Sequence, residues 1–104
     1  MNYDRRKIAF RRIAEASLSA STELVARWLP DGRREGAEWC ATNPVRSDNR
    51  RGSFKVNLKT GLWSDFAVDV SGGDLISLAA YLFNLKQGQA AVKIAGALGI
   101  DAYD

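Results

Sequence analysis

Between Ser53 and Leu58 apolar and polar positions alternate without a miss: Phe54, Val56 and Leu58 against Ser53, Lys55 and Asn57. A period of two sends the two sets to opposite faces of a strand, one for a core and one for solvent. Lys59-Thr60-Gly61 fits a three-residue hairpin loop in which Gly61 supplies the positive φ of a bulge. Residues 62–66 return as the partner strand, with Leu62, Ser64 and Phe66 on one face and Trp63 and Asp65 on the other. Ahead of this hairpin, residues 34–41 read as a strand that Gly36 weakens. Residues 42–52 then form a polar loop holding Arg46, Arg50 and Arg51.

On either side the period lengthens to that of a helix. Residues 4–16 predict a first helix, capped by Asp4, with Ala9, Ile13 and Ala16 as a small apolar stripe. Arg5, Lys7, Arg11 and Arg12 lie mostly off that stripe, on a face that is either solvated or available to phosphates. A second short helix opens at Ser21 or Thr22 and ends near Leu29, burying Leu24, Val25, Trp28 and Leu29 before Pro30-Asp31-Gly32 stops it. Ser71-Gly72-Gly73 leads into a helix over residues 74–85, capped by Asp74 and apolar around much of its circumference, as a central core helix would be. Lys86-Gln87-Gly88 breaks the pattern. A last helix over residues 89–98 turns Ala91, Ile94, Ala95 and Leu98 inward, with Gly99 as its left-handed C′ residue and Ile100 as the accompanying apolar contact.

The order α-α-β-β-β-α-α predicts an α+β fold: a small antiparallel sheet of about three strands flanked by N- and C-terminal helices. A chain of 104 residues that is 46% apolar suits one domain. Within it, residues 1–32 are a helical lead-in, 33–70 the sheet and 71–104 helical support. There is no apolar run long enough to span a bilayer and no apolar signal core behind the first arginines, so a cytoplasmic protein without membrane contact is expected.

Charge and chemistry narrow the function. Lys and Arg exceed Asp and Glu by six over residues 1–60, whereas residues 61–104 carry a net −3. A basic half suits a polyanionic partner, although ordinary solvated surface charge reads the same way. The chain has no histidine and a single cysteine, Cys40. It therefore lacks the usual general base, the usual nitrogen ligand for zinc and any internal disulfide. Cys40 has no histidine partner and reads as a small buried apolar residue. Asp48, Asp65, Asp69 and Asp74 fall on different elements without the pattern of a carboxylate metal cluster. A binding module is expected, not an enzyme.

The run from Asn43-Pro44 through Gly52-Ser53-Phe54, Thr60-Gly61-x-Trp63-x-Asp65-Phe66 and Gly72-Gly73-Asp74-Leu75-Ile76 to Leu98-Gly99-Ile100 resembles a known family. It is similar to the N-terminal zinc-ribbon-type domain of bacterial, phage and plasmid DNA primases, and more closely to metal-less versions in primase–helicase or replication proteins of mobile elements. In the zinc-binding relatives a Cys-x-x-His pair precedes the hairpin and a Cys-x-x-Cys pair follows it. The resemblance places these four ligands here on Cys40, Asn43 and about Ser64 and Ala67, so only one survives. Structural zinc needs four strong donors, and Asn, Ser and Ala are no substitutes. No metal and no cofactor are expected. Trp39, Trp63, Phe54 and Phe66 become the residues whose packing would replace the metal.

The resemblance implies a non-catalytic module that binds single-stranded template, with the polymerising centre in a separate primase domain. Single strands are held by cations that track phosphates and by aromatic faces on which bases stack. On that basis the expected nucleic-acid-binding residues are Arg46, Arg50, Arg51, Lys55, Lys59 and Trp63, with Lys55 and Trp63 sharing one sheet face and the loop arginines at its edge. Trp63 packing against a helix is the equal alternative, and core packing is expected for Trp28 and Trp39. The expected partner is single-stranded DNA or RNA, together with a primase catalytic domain or a helicase. The alternative function is a protein–protein docking domain in a replication complex, which would expose an apolar patch at Leu82, Phe83 and Leu85.

Overall fold

The computed structural model describes residues 7–46 and 52–104. Among them are four helices, α1 (Phe10–Ser19), α2 (Ser21–Trp28), α3 (Leu75–Phe83) and α4 (Gln87–Leu98). The same residues include five strands: β1 (Arg33–Glu35), β2 (Glu38–Ala41), β3 (Phe54–Asn57), β4 (Trp63–Asp65) and β5 (Val70–Gly72). The strands form one antiparallel meander in the order β1-β2-β3-β4-β5. The α+β class is as expected, but the sheet has five strands where about three were expected.

The two extra strands have local causes. Gly36 does not weaken a long strand over residues 34–41; at φ +63° it makes the turn of a β1–β2 hairpin, pairing Arg34 with Trp39 and Glu35 with Glu38. Beyond β4, Asp69 takes a left-handed φ of 57° and its N–H bonds to the Asp65 carbonyl, which reverses the chain into β5. β5 is short and glycine-ended, and it carries the sheet to Gly72. The β3–β4 turn is as read from sequence: Gly61 has φ +81°, and Asn57 Oδ1 accepts from the N–H groups of Lys59 and Thr60.

The helices cover one face of the sheet. Phe54, Val56 and Trp63 meet Ile13, Val25, Leu75, Ile76, Leu78 and Ile94 in a single core. Phe54 and Trp63 stack at 5.9 Å, with Tyr81 of α3 tilted against both. α3 starts in a capping box in which Asp74 accepts from the Ser77 N–H at 2.8 Å, as expected of Asp74. It ends at Asn84, which takes the left-handed conformation (φ 53°) and so breaks the helix earlier than Lys86-Gln87-Gly88 would; α4 begins at Gln87 itself. Gly99 is the left-handed C-cap of α4, and the Ile100 N–H bonds the Ala95 carbonyl.

α1 begins at Phe10, and the start of the expected helix over residues 4–16 lies outside the described residues. Ile8 instead bridges Tyr103, and Arg12 donates to the carbonyls of Asp101 and Tyr103 at 2.9 and 2.8 Å. That arginine, expected on a solvated or phosphate-facing surface, ties the two ends of the described chain together. No helix among the described residues is long and apolar enough to cross a membrane.

Candidate nucleic-acid interface

Directly opposed residues of an antiparallel ladder share a face. The β3–β4 register sets Lys55 against Ser64 and Val56 against Trp63. Trp63 is therefore on the core side with Val56, and Lys55 is on the opposite side. This corrects the expectation that Lys55 and Trp63 share a face. Trp63 is only 6% exposed, and its indole Nε1 donates to Ser77 Oγ at 2.9 Å. Gly72 makes room for it, since a Cβ there would overlap the indole and Ser77 Oγ. Trp39 is held similarly: it lies over Gly32 and donates to the Leu29 carbonyl at 2.9 Å.

Arg46 also turns inward. Its Nε lies 3.1 Å from Asp65 Oδ2, and Asp65 is fully buried. The Asp65 carboxylate accepts from the Asn43 side-chain amide at 2.8 Å and from the Ala67 N–H at 3.0 Å. The same Asn43 amide donates to Tyr81 Oη at 2.7 Å, and Asn43 Oδ1 accepts from the Val45 N–H. Burial pushes the Asp65 carboxyl up, but hydrogen bonds from Asn43, Ala67 and Ser53, together with the charge of Arg46, more than offset it and hold the group below its ordinary range. Arg46 is thus half of a buried pair, and not the cation expected at the edge of the open face.

Lys59 is exposed in the β3–β4 turn, beyond the last residue of β3, where its N–H bonds to Asn57 Oδ1. Arg50 and Arg51 lie outside the described residues. Of the four expected binding residues that are described, Lys55 alone stands on the open sheet face.

Sequence reasoning missed the partner of Lys55. Phe66, assigned to packing, is 68% exposed, and the Lys55 ammonium sits 5.6 Å from its ring centroid. Alternation from Leu62 through Ser64 to Phe66 carried the signal, once β4 is placed with Trp63 inward. Beside this pair, Lys55, Glu38, Asn57, Leu62, Ser64 and Ser71 border a shallow groove of about 340 Å³. Leu62, at its rim, is also exposed. By register Arg33, Glu35 and Glu38 lie on this face too, so it offers Lys55 and Arg33 beside two carboxylates, one open aromatic ring and several short polar side chains, with no helix among the described residues over it.

The residues at the four implied metal positions do not suit zinc. Asn43 presents its amide N–H groups to Asp65 and Tyr81 and its Oδ1 to the Val45 N–H, so both ends of the side chain are already engaged in hydrogen bonds. Cys40 is 3% exposed and lies in register with Lys55 on the face opposite Trp39. Burial, reinforced by Glu35, pushes its thiol above the usual range, so it holds its proton. Ser64 and Ala67 are weak or empty as ligands. Among the described residues no three His, Cys, Asp or Glu side chains are grouped to hold a metal ion.

No family model matches the chain, and no curated protein matches it. Among solved structures it is similar to the Aquifex aeolicus primase, in a crystal structure of that protein's zinc-binding and RNA polymerase domains, with a TM-score of 0.74 at 17% identity. The match covers 91% of this chain and 22% of that one, so this chain spans a minor part of the primase's length. At this identity the likeness establishes the fold, the zinc-ribbon-like architecture of a primase domain.

Proposed function

We propose that the chain is a non-catalytic, metal-free module that binds single-stranded nucleic acid as part of a primase or replication protein of a mobile element. The observation that carries the reading is the exposed Phe66 ring with the Lys55 ammonium over it, on a sheet face that no helix among the described residues covers. A base stacked on an aromatic ring contributes about 1–3 kcal/mol whatever its identity, and a neighbouring cation adds phosphate attraction that salt weakens. The primase fold supports the same role, since a zinc-binding domain accompanies the polymerising domain in the Aquifex protein. In this reading the module presents template to a catalytic domain or helicase outside this sequence, and Lys59 in the β3–β4 turn adds a further cation. The test is a fluorescence-anisotropy titration with a labelled single-stranded oligonucleotide at low and moderate salt. Phe66→Ala and Lys55→Glu should each weaken binding, and Lys55→Glu should also flatten its salt dependence. Unchanged affinity in both variants would remove this face from consideration.

A further inference from the structure

Away from the sheet, α2, α3 and α4 converge on a cavity of about 380 Å³ lined by Leu24, Arg27, Trp28, Phe83, Ile94 and Lys93. Helical spacing builds it. Positions 24, 27 and 28 share one side of α2, and positions 93, 94 and 97 share one side of α4. The floor is apolar, with Leu24 3% and Ile94 1% exposed. Trp28 and Phe83 meet edge to face at 6.0 Å, and Phe83 remains 40% exposed. At the rim stand two cations. Lys93 Nζ lies 5.3 Å from the Phe83 ring centroid, and neither Lys93 nor Arg27 has an ion-pair partner among the described residues.

Only part of the exposed patch expected at Leu82, Phe83 and Leu85 is present: Phe83 is open, while Leu82 and Leu85 pack partly against the core. What exists is a slot and not a patch. We infer that this slot docks an acidic peptide segment of a protein partner, seating one apolar side chain beside Trp28 and Phe83 and setting its carboxylates against Arg27 and Lys93. Charge complementarity names the occupant. Two unpaired cations flanking an apolar floor repel a basic segment and leave a neutral one without electrostatic gain. A concave apolar pocket with an aromatic wall is the kind of place where one anchor side chain supplies most of the binding. A nucleic acid fits less well. The two rings already pack on each other, Lys93 covers Phe83, and Leu24, Ile94 and Ala97 offer no hydrogen bonds to a base edge.

The site is separate from the Lys55–Phe66 face, so either can fail without the other. The experiment follows amide and side-chain resonances of the isotope-labelled chain. The probes are indole-3-propionate, its neutral primary amide, and short peptides with one tryptophan flanked by acidic or by basic residues. The carboxylate and the acidic peptide should shift Trp28, Phe83, Arg27 and Lys93 together, while the amide and the basic peptide bind more weakly by roughly tenfold. The double variant Arg27→Glu/Lys93→Glu, both on exposed side chains, should abolish the preference or reverse it while circular dichroism stays unchanged. Equal binding of acidic and neutral probes would overturn the inference. So would shifts confined to other surfaces, or a single-stranded oligonucleotide that occupies this slot in place of the acidic peptide.

Discussion

The side-chain amide of Asn43 donates to the Asp65 carboxylate at 2.8 Å, joining the loop after β2 to the end of β4 across 22 residues of chain. Arg46 and the Ala67 N–H close on the same carboxylate, and Tyr81 links the group to α3. The family resemblance would put one ligand pair at Cys40 and Asn43 and the other at about Ser64 and Ala67. A hydrogen-bonded ion pair therefore fastens together the two segments on which that resemblance would place the ligands.

Such a clasp makes Asp65 costly to replace. Removing one partner of a buried pair leaves the other charge uncompensated and destabilises by about 3–5 kcal/mol. Asp65→Ala should lose that order of stability in urea unfolding, because the Arg46 side chain is only 16% exposed. Arg33→Ala breaks a pair whose side chains are 70% and 54% exposed, and should change stability by no more than about 1 kcal/mol. Comparable losses in the two variants would show that Asp65 holds nothing together.

The clasp also sets a pH dependence. The Asp65 carboxyl titrates below its ordinary value in the fold, so the folded state holds the proton less tightly than the unfolded chain. Its contribution is complete above the unfolded pKa of about 3.9 and is lost as pH falls through the lower folded value. Thermal melts taken from about pH 6 downward should show the native chain losing stability below about pH 4 more steeply than Asp65→Asn. Parallel curves for the two proteins would contradict the depressed pKa.

Much of this fold is legible in the chain, and what is not legible has identifiable causes. The alternation around Phe54 and Val56, the Gly61 turn, the Asp74 cap and the Gly99 C-cap are local features, and the structure has them where local rules put them. Trp63 and Asp65 were readable as facing away from Phe66, but which of the two faces is the core depends on pairing with β3. A strand read alone does not disclose its register. β5 has too few residues and too much glycine to show a period. The clasp escapes for another reason: Asn43, Arg46 and Asp65 are brought together only by the closed sheet, and polar residues in loops carry no repeat that marks them as buried.

Zinc content tests the metal-free reading directly. With Asn43 engaged as a hydrogen-bond donor and the Cys40 thiol held protonated by burial, protein purified without chelator should carry far less than one zinc per chain. Excess EDTA should leave the melting temperature in place. One equivalent of zinc, with a melting temperature that falls on chelation, would mean that a metal and not the clasp closes the ribbon.

Trp63 and Phe66 stand on opposite faces of adjoining backbone, and exchanging their roles is the sharpest check on the proposed surface. Trp63→Phe keeps a ring against Phe54 and Tyr81 but removes the bond to Ser77 Oγ, which should destabilise by about 1 kcal/mol and leave oligonucleotide affinity unchanged. Phe66→Ala removes an exposed ring and should alter stability by no more than about 0.5 kcal/mol. Its affinity for single strands should fall by about 1–3 kcal/mol, a loss of roughly 5- to 150-fold. Paired urea and anisotropy titrations on the two variants decide the matter. If affinity follows Trp63 and ignores Phe66, bases stack on an indole that the fold keeps buried, and the open face is not where the strand lies.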